Sequence, residues 1–478
     1  MPARYVNVDR ETPMLMPPDL RDWVAKDDVT HFIVDALEQC DLGPARVNGR
    51  GSGSRQYPPG MMLGLLIFCY AHGIFSSRQI EAATYSHVSL RFLCGNEHPD
   101  HDTIATFRRE NRALLENCFV TVLCLAKELN AFRRLGTISV DGTKLAARAS
   151  QQSNHKVEDL EKKIGELQSE IAGLMAEAER ADAQEASEPS QLHERLQDRA
   201  KRQRALEAAK EKLLERQRRS HEQQLSYDRG EPVALPEDPA ERGAPSGAGP
   251  SGEAVKTSKL APLLPKLRPI SKRHAGQRIN LVEPDSRVMC NAHGEFVQAY
   301  NVQAVVEAGE DRTQLILGIR VTSEGNDRRT LAENLVSVAA PFRKEVKHVL
   351  ADKGYDNADL IAAMEAKYGV TVLCHPQNEA KEPKAGKPIK RPKPAEERRR
   401  ALAQARRERM EEPENKQLYR RRYASIEPVF GVLKNVLGFR RFRLFGQAKA
   451  QIEITLLAIA YNLRQLVRFT RRAIPQTA

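Results

Sequence analysis

Three acidic residues and one lysine have the types and the settings that metal-dependent chemistry requires. Asp141 and Asp352 each end a short apolar run, and Glu427 lies in a segment with helical spacing, seven residues before Lys434. Carboxylates at strand ends occupy the edge where α/β sheets hold their active sites. Mg²⁺ and Mn²⁺ prefer oxygen ligands, and two such ions can clamp a phosphodiester while they activate a water or a hydroxyl for in-line attack.

Three of these four residues also have a simpler explanation. Residues 349–351 are too few for a helix, and Gly354 permits a tight turn before the helix that begins near Asn357. The alternative role of Asp352 is therefore to cap that turn and nothing more. The spacing of Glu427 and Lys434 predicts a shared helix face, which a surface ion pair would also explain. We favour the metal-binding interpretation because three acids stand beside strongly basic segments.

Composition and charge limit the class of protein. The chain has 478 residues, 41% of them hydrophobic, with 75 Lys and Arg against 63 Asp and Glu, a formal charge of +12. These values predict two or three folded domains and a polyanionic partner, most simply nucleic acid. The longest apolar run, residues 61–71, is too short to span a bilayer, and no Cys-x-x-Cys occurs. We expect a cytoplasmic protein without a membrane role.

Residues 1–130 predict an all-α N-terminal DNA-binding domain. Two capped segments, 76–81 and 102–109, suit a helix-turn-helix-like reader, with Arg108 and Arg109 as DNA contacts; a purely structural bundle is the alternative. Residues 98–102 resemble a metal-ligand cluster but are better explained as a turn. Helical spacing is present at 29–37, 58–70, 76–84, 103–110 and 114–129.

The middle of the chain predicts an insertion rather than a second core. Heptad spacing of leucine and isoleucine from Val157 onward predicts a coiled-coil insertion at 151–226, most simply an antiparallel helical hairpin, with an intermolecular coiled coil as the alternative. Residues 227–279 are rich in Pro, Gly and Ser and predict a flexible linker. Residues 376–410 form a basic arm, interpreted as a solvated loop, a phosphate-contacting arm, or both.

The remaining segments, 135–150 and 280–470, predict an α/β domain with a mixed sheet. Residues 296–307 and 314–321 predict two strands joined by a turn at 309–311, and residues 349–351 and 370–374 predict two more. Predicted helices cover 327–342, 418–436 and 447–469 and a segment from residue 357. This alternation is typical of an α/β sheet with an antiparallel portion.

The order of these elements resembles the ribonuclease H-like catalytic core of the bacterial insertion-sequence DDE transposases. The specific parts are Asp352-Lys353-Gly354-Tyr355 and the stretch from Ile426 to Lys434. The resemblance implies a protein that binds element ends and catalyses metal-dependent DNA strand cleavage and strand transfer. It implies a metal-binding triad of Asp141, Asp352 and Glu427, holding Mg²⁺ or Mn²⁺ as two ions.

The resemblance also implies partners and contacts. Double-stranded DNA from element ends and target would bind, and a homodimer is expected on DNA. The family pattern often has Tyr seven and Arg four residues before the Glu, where this chain has Arg420 and Tyr423, so individual roles near Glu427 stay open. The alternative is a catalytically silent DNA-binding regulator derived from a transposase. The predicted DNA contacts in this part of the chain are Lys434, Arg420, Arg422 and Tyr355.

Overall fold

The chain is a mixed α/β protein. The computed structural model describes residues 23–47, 56–132, 135–183, 189–237, 276–291, 293–309, 313–377 and 393–473. Several predictions fall outside these residues: part of the turn between the two long strands, the centre of the linker (238–275) and the first part of the basic arm (378–392).

Among the residues that the structure describes, six helices precede the first strand. Their bounds agree with five predicted helices to within two residues, and the short helix α4 was missed because six residues are too few to show a helical period. Helix α2 is apolar on every side, and accordingly all of its residues from Met62 to Ala71 are buried. The helices are α1 (Val29–Glu38), α2 (Pro59–Ala71), α3 (Ser77–Ser86), α4 (Val88–Leu93), α5 (His101–Glu110) and α6 (Arg112–Glu128).

The cluster of histidines and acids at 98–102 forms a turn and a helix cap, as predicted. The Asp100 side chain accepts a hydrogen bond from the Thr103 N–H (2.8 Å) and caps α5. His101 Nδ1 lies 2.8 Å from Glu81 Oε2 on α3, which joins the two capped segments.

The central sheet is mixed. Its long strand β5 pairs antiparallel with β1 on one side and with β4 and β6 on the other, and β1 continues in parallel to β7 and β8. Strands β2 (Asn154–His155) and β3 (Ile279–Asn280) form a separate antiparallel pair. The sheet strands are β1 (Thr137–Ala146), β4 (Arg287–Cys290), β5 (Phe296–Glu307), β6 (Ile316–Thr322), β7 (His348–Ala351) and β8 (Thr371–Leu373).

The helices that follow β6 differ in part from the prediction. Instead of one helix over 327–342, the chain forms α9 (Leu331–Val336) and α10 (Ala340–Arg343). Pro341 lacks an N–H and cannot continue a helix from the preceding turn. Helix α11 (Ala358–Tyr368) begins as predicted, with the Asn357 side chain accepting from the Leu360 N–H.

One hydrophobic core joins the sheet to the N-terminal helices. The last helix, α14 (Gln447–Ala473), packs on α2, α6 and β6, so its apolar residues belong to the same buried cluster as both parts. The described N-terminal helices therefore share their hydrophobic core with the sheet. Among the described residues, no helix has the length and apolarity needed to cross a membrane.

The insertion forms an antiparallel pair of helices, α7 (Val157–Ala183) and α8 (Pro189–Arg229). Ion pairs join Glu161 to Lys210 (2.8 Å) and Glu170 to Arg199 (2.9 Å), so residue numbers rise along one helix as they fall along the other. Five residues of the predicted apolar seam lie in one buried cluster between the two helices, together with Ala209: Leu160, Ile164, Leu167, Leu206 and Leu213.

In two places the described residues are packed where the sequence predicts a flexible linker or a solvated basic arm. At 231–237 the predicted linker packs on the core, with the Pro236 carbonyl accepting from Lys367 Nζ (3.1 Å) and the Tyr368 hydroxyl (3.0 Å). The second half of the predicted basic arm is helix α12 (Pro394–Glu411), docked by ion pairs to acids on and just before α11. Carboxylates distant in sequence neutralise arginines that looked free to bind phosphate.

Candidate active site

Asp141 and Asp352 come together at the edge of the sheet. Val140 on β1 pairs with Ala351 on the parallel strand β7, so the next residue on each strand is one of the two acids. Residues that follow paired positions on adjacent parallel strands project from the same face. The structure therefore places the two carboxylates side by side, where β7 ends and β1 continues.

Asp352 does cap its turn. Its Oδ1 accepts a hydrogen bond from the Gly354 N–H (2.9 Å) at the start of the short 3₁₀ turn Lys353–Tyr355. This bond orients the carboxylate and leaves it able to bind a metal ion, because a carboxylate has two oxygens and about four acceptor sites. The capping and the metal-binding interpretations of Asp352 are therefore compatible.

Asp141 is partly buried, with 23% of its side chain exposed. Desolvation, opposed by the hydrogen bond from the Gly142 N–H (2.7 Å) and reinforced by the charges of Asp352 and Asp327, raises the pKa of Asp141 to about 6. A negative charge at this position is therefore costly unless a cation joins it.

Helix α13 (Pro413–Gly431) packs on the first part of β1 and on the end of β7. Its Ser425 hydroxyl donates to Ser139 Oγ on β1 (2.7 Å), and its Tyr419 hydroxyl donates to the Ala351 carbonyl on β7 (3.2 Å). Between them, Arg422 Nη1 lies 3.5 Å from Asp141 Oδ2. The helix thus supplies the nearest positive charge to the acidic pair.

Glu427 and Lys434 lie in consecutive helical segments of different type. Glu427 is exposed on α13, and Lys434 lies in a π-helical turn, Val432–Val436, where α-helical spacing does not hold. Burial and the charges of Arg440 and Lys144 lower the pKa of Lys434, against the opposing effect of Asp141. Lys434 therefore lies in the electrostatic neighbourhood of Asp141.

A further acid, Asp327, was missed in the sequence. Its Oδ1 accepts from Asn301 Nδ2 (2.7 Å) and Gln303 Nε2 (2.6 Å), and Lys144 Nζ lies 3.5 Å away. Asp327 lies in a loop before α9, and no apolar strand pattern precedes it directly in the sequence. The signal was on β5, where the polar Asn301 and Gln303 interrupt the apolar, buried part of the strand.

Tyr355 is part of this buried network rather than of a surface. Its side chain is 0% exposed and its hydroxyl donates to Gln303 Oε1, which also accepts from Asn334 Nδ2 (2.7 Å). Burial raises the pKa of Tyr355 well above its ordinary value. The predicted contact of Tyr355 with DNA is wrong, because the ring has no accessible surface.

The predicted DNA-contacting arginines divide by exposure. Arg108 is 4% exposed and donates to the Phe75 carbonyl (2.7 Å) and the Tyr70 hydroxyl (3.1 Å), so its predicted DNA contact is wrong. Arg422 is 6% exposed and its guanidinium faces Asp141, so little of its surface is available to a DNA phosphate. Arg109 and Arg420 are exposed, and their contacts with DNA stay predictions.

Gly142 is required by the space around Asp327. A Cβ at this position would lie 2.2 Å from Gln303 Nε2 and 2.8 Å from Asp327 Oδ1. We expect Gly142→Ala to lower the free energy of unfolding by about 1–3 kcal/mol, as overpacking of a rigid site does. Urea denaturation measures this loss. Gly136→Ala is the matched control, because no atom lies within 4 Å of its added Cβ; equal effects of the two variants would contradict the steric argument.

The acidic pair fits a divalent metal ion. Two carboxylates, one of them largely buried and costly to ionise, form the hard oxygen donor set that such ions take. Within the described part of the chain, no three Asp, Glu, His or Cys side chains lie close enough to hold an ion together. The fit therefore rests on Asp141 and Asp352, and the structure does not bring Glu427 to them.

Two family models match parts of the chain. Residues 269–463 match the family model described as a transposase DDE domain, and residues 18–110 match the model described as a transposase domain (DUF772). The first match contains Asp352, Glu427 and Lys434, whereas Asp141 lies between the two matched segments. No curated protein and no solved structure matches the chain. The two matches, one on the N-terminal helices and the other on the part of the chain that contains most of the sheet, show that the chain belongs to the insertion-sequence DDE transposases.

Proposed function

We propose that this transposase binds the ends of its own mobile element, cuts them by metal-dependent hydrolysis and joins the freed 3′-hydroxyl to target DNA. The observation that carries the proposal is the pairing of Asp141 and Asp352 on adjacent parallel strands. We assign a ribonuclease H-like fold to the sheet. The family and the mixed strand order support this assignment, with β6, β5 and β1 antiparallel and β1, β7 and β8 parallel.

In this proposal Asp141 and Asp352 hold Mg²⁺ or Mn²⁺, with Glu427 as the third carboxylate of the family pattern. The bound metal would activate the attacking oxygen and stabilise the leaving oxygen of the phosphodiester. Arg422 neutralises part of the charge of Asp141 in the absence of metal. Helix α13 carries both Arg422 and Glu427, so a small shift of this helix would change the distance of both from the acidic pair.

DNA contacts are proposed for exposed or partly exposed cations near the acidic pair and on the N-terminal helices. Lys434, with Lys144 and Arg440 in its electrostatic neighbourhood, would contact a phosphate close to the cut bond. Arg420 and Arg109 would contact the backbone farther away. The homodimer on DNA stays a prediction.

Strand cleavage tests the proposal directly. Full-length protein would be incubated with labelled duplexes that carry the DNA flanking its own gene, in Mg²⁺, Mn²⁺, Ca²⁺ or EDTA. We expect nicks with 3′-hydroxyl ends in Mg²⁺ and Mn²⁺ only, because water activation requires the metal. Gel analysis measures the product, and a scrambled duplex is the control.

One outcome would contradict the proposal. Tight, sequence-specific binding without nicks in either Mg²⁺ or Mn²⁺ would mean that the chain is a DNA-binding regulator without catalysis.

A further inference from the structure

Helix α12 places a buried arginine beside the 3₁₀ turn Lys353–Tyr355, which Asp352 caps. Arg406 is 4% exposed, and its Nη2 lies 2.6 Å from Oδ1 of Asp356, which is 8% exposed. Asp356 stands four residues after Asp352, directly beyond the 3₁₀ turn that Asp352 caps. The pair therefore joins an arginine-rich helix to the far end of the turn that carries the candidate metal ligand.

Asp356 is fixed from several sides. Its second carboxylate oxygen accepts from the Gln377 N–H (2.7 Å), and its backbone carbonyl accepts from Arg328 Nε (2.8 Å). At the near end of the turn, the thiol of Cys374 donates to the Asp352 carbonyl (3.1 Å). The segment after β8 and the arginine of α12 thus hold the two ends of a five-residue turn.

The energetics of the pair favour a role in positioning. Nε and Nη1 of Arg406 are buried and have no hydrogen-bond partner among the described residues. A buried ion pair with unsatisfied donors recovers its desolvation cost poorly and contributes little net stability. What the pair supplies is a defined position for Asp356.

The rest of α12 is anchored independently. Arg398 and Arg399 both pair with Asp359 (2.6 and 2.5 Å), and Arg409 pairs with Glu365. Loss of Arg406 alone therefore leaves the helix docked on α11.

We propose that Arg406 is a positioning residue that, through Asp356, holds the Asp352 carboxylate in place for metal binding. This inference rests on the proposed metal-dependent function. It assigns α12 an internal role in place of the DNA-contacting arm that its composition suggests.

The test compares Arg406→Met with Arg400→Met, an exposed arginine of the same helix. Mn²⁺ titration followed by electron paramagnetic resonance should show about 10- to 100-fold weaker binding for Arg406→Met, as for the loss of other groups that orient metal ligands, and no change for Arg400→Met. Arg406→Lys should restore part of the affinity. DNA affinity in EDTA should not change in Arg406→Met.

Metal-free protein gives a second readout. Hydrogen exchange of the Gly354 amide, which donates to Asp352, should become faster in Arg406→Met. If the unpaired Asp356 prevents folding, the double variant Arg406→Met/Asp356→Asn removes both charges, and it should fold yet still bind Mn²⁺ weakly. Wild-type Mn²⁺ affinity or wild-type exchange in these variants would overturn the inference. Failure of the wild-type protein to bind Mn²⁺ would overturn the proposed function and this inference with it.

Discussion

Asp352→Asn is expected to lower metal-dependent cleavage of element-end DNA by at least about 1000-fold, equivalent to ~4 kcal/mol of transition-state stabilisation. A neutral amide cannot replace the negative charge that binds and polarises a divalent ion. The fold should be little affected, because an asparagine oxygen can still accept from the Gly354 N–H and is as good a cap as aspartate. Single-turnover cleavage in Mg²⁺ measures the effect, and circular dichroism measures the melting temperature.

The same variant separates the two interpretations of Asp352. If Asp352 only capped its turn, Asn would preserve both stability and cleavage. Glu158→Gln, which removes an exposed carboxylate from α7 of the insertion, should cleave as the wild type does. Undiminished cleavage by Asp352→Asn in Mg²⁺ would show that the residue is not a metal ligand and that the triad is wrong.

The local patterns of the sequence predicted the elements that hold the acidic pair. Strand β7 and helix α11 follow from a short apolar run, a turn glycine and the Asn357 cap, all of which act within about ten residues. The side-by-side placement of Asp141 and Asp352 followed from a general rule about strand ends. The pairing of Val140 with Ala351 brings the two acids side by side, and it joins residues more than 200 positions apart in the sequence.

The arginines that were wrongly predicted to contact DNA form hydrogen bonds or ion pairs with residues that are distant in the sequence. The arginines of α12 look like a phosphate-binding arm because nothing nearby neutralises them. Arg406 pairs with Asp356, fifty residues away. Arg108 donates to the Tyr70 hydroxyl on α2 and to the Phe75 carbonyl in the loop that follows α2. Charge in a sequence indicates a polyanionic partner only for side chains that remain exposed, and exposure is decided by packing.

Helix α13 shows a second limit. Seven residues are two α-helical turns, so the sequence predicted that Glu427 and Lys434 share a face. The π-helical turn at Val432–Val436 breaks that period. π-Helical turns occur often at functional sites, and here one follows the end of α13 at Gly431 and contains Lys434. The distances from Glu427 to the acidic pair are therefore set by how α13 packs and bends, which residue spacing does not determine.

Asp141→Asn is expected to abolish cleavage and yet to stabilise the metal-free protein at neutral pH. The folded pKa of Asp141, about 6, lies above its ordinary value of 3.8 because of burial first and neighbouring acids second. The folded state therefore holds this proton more tightly than the unfolded chain does. The resulting stability is present below pH 4 and is lost as pH rises through 6, by up to about 3 kcal/mol at 1.36 kcal/mol per pKa unit. Urea denaturation in EDTA at pH 4, 6 and 7.5 measures the difference.

The amide of the Asp141→Asn variant carries no charge at any of these pH values, so the advantage of the variant over the wild type should grow between pH 4 and 7.5. Mg²⁺ should reverse the order by stabilising the wild type alone, since binding to the folded state adds free energy in proportion to the logarithm of metal concentration over Kd. A stability difference that does not vary with pH would show that Asp141 ionises without cost, and would remove the electrostatic reason for a cation beside it. Asp141 would thus lower the stability of the metal-free protein at neutral pH while it supplies a metal ligand, an exchange of stability for function. It lies one residue beyond the last pair between β1 and β7.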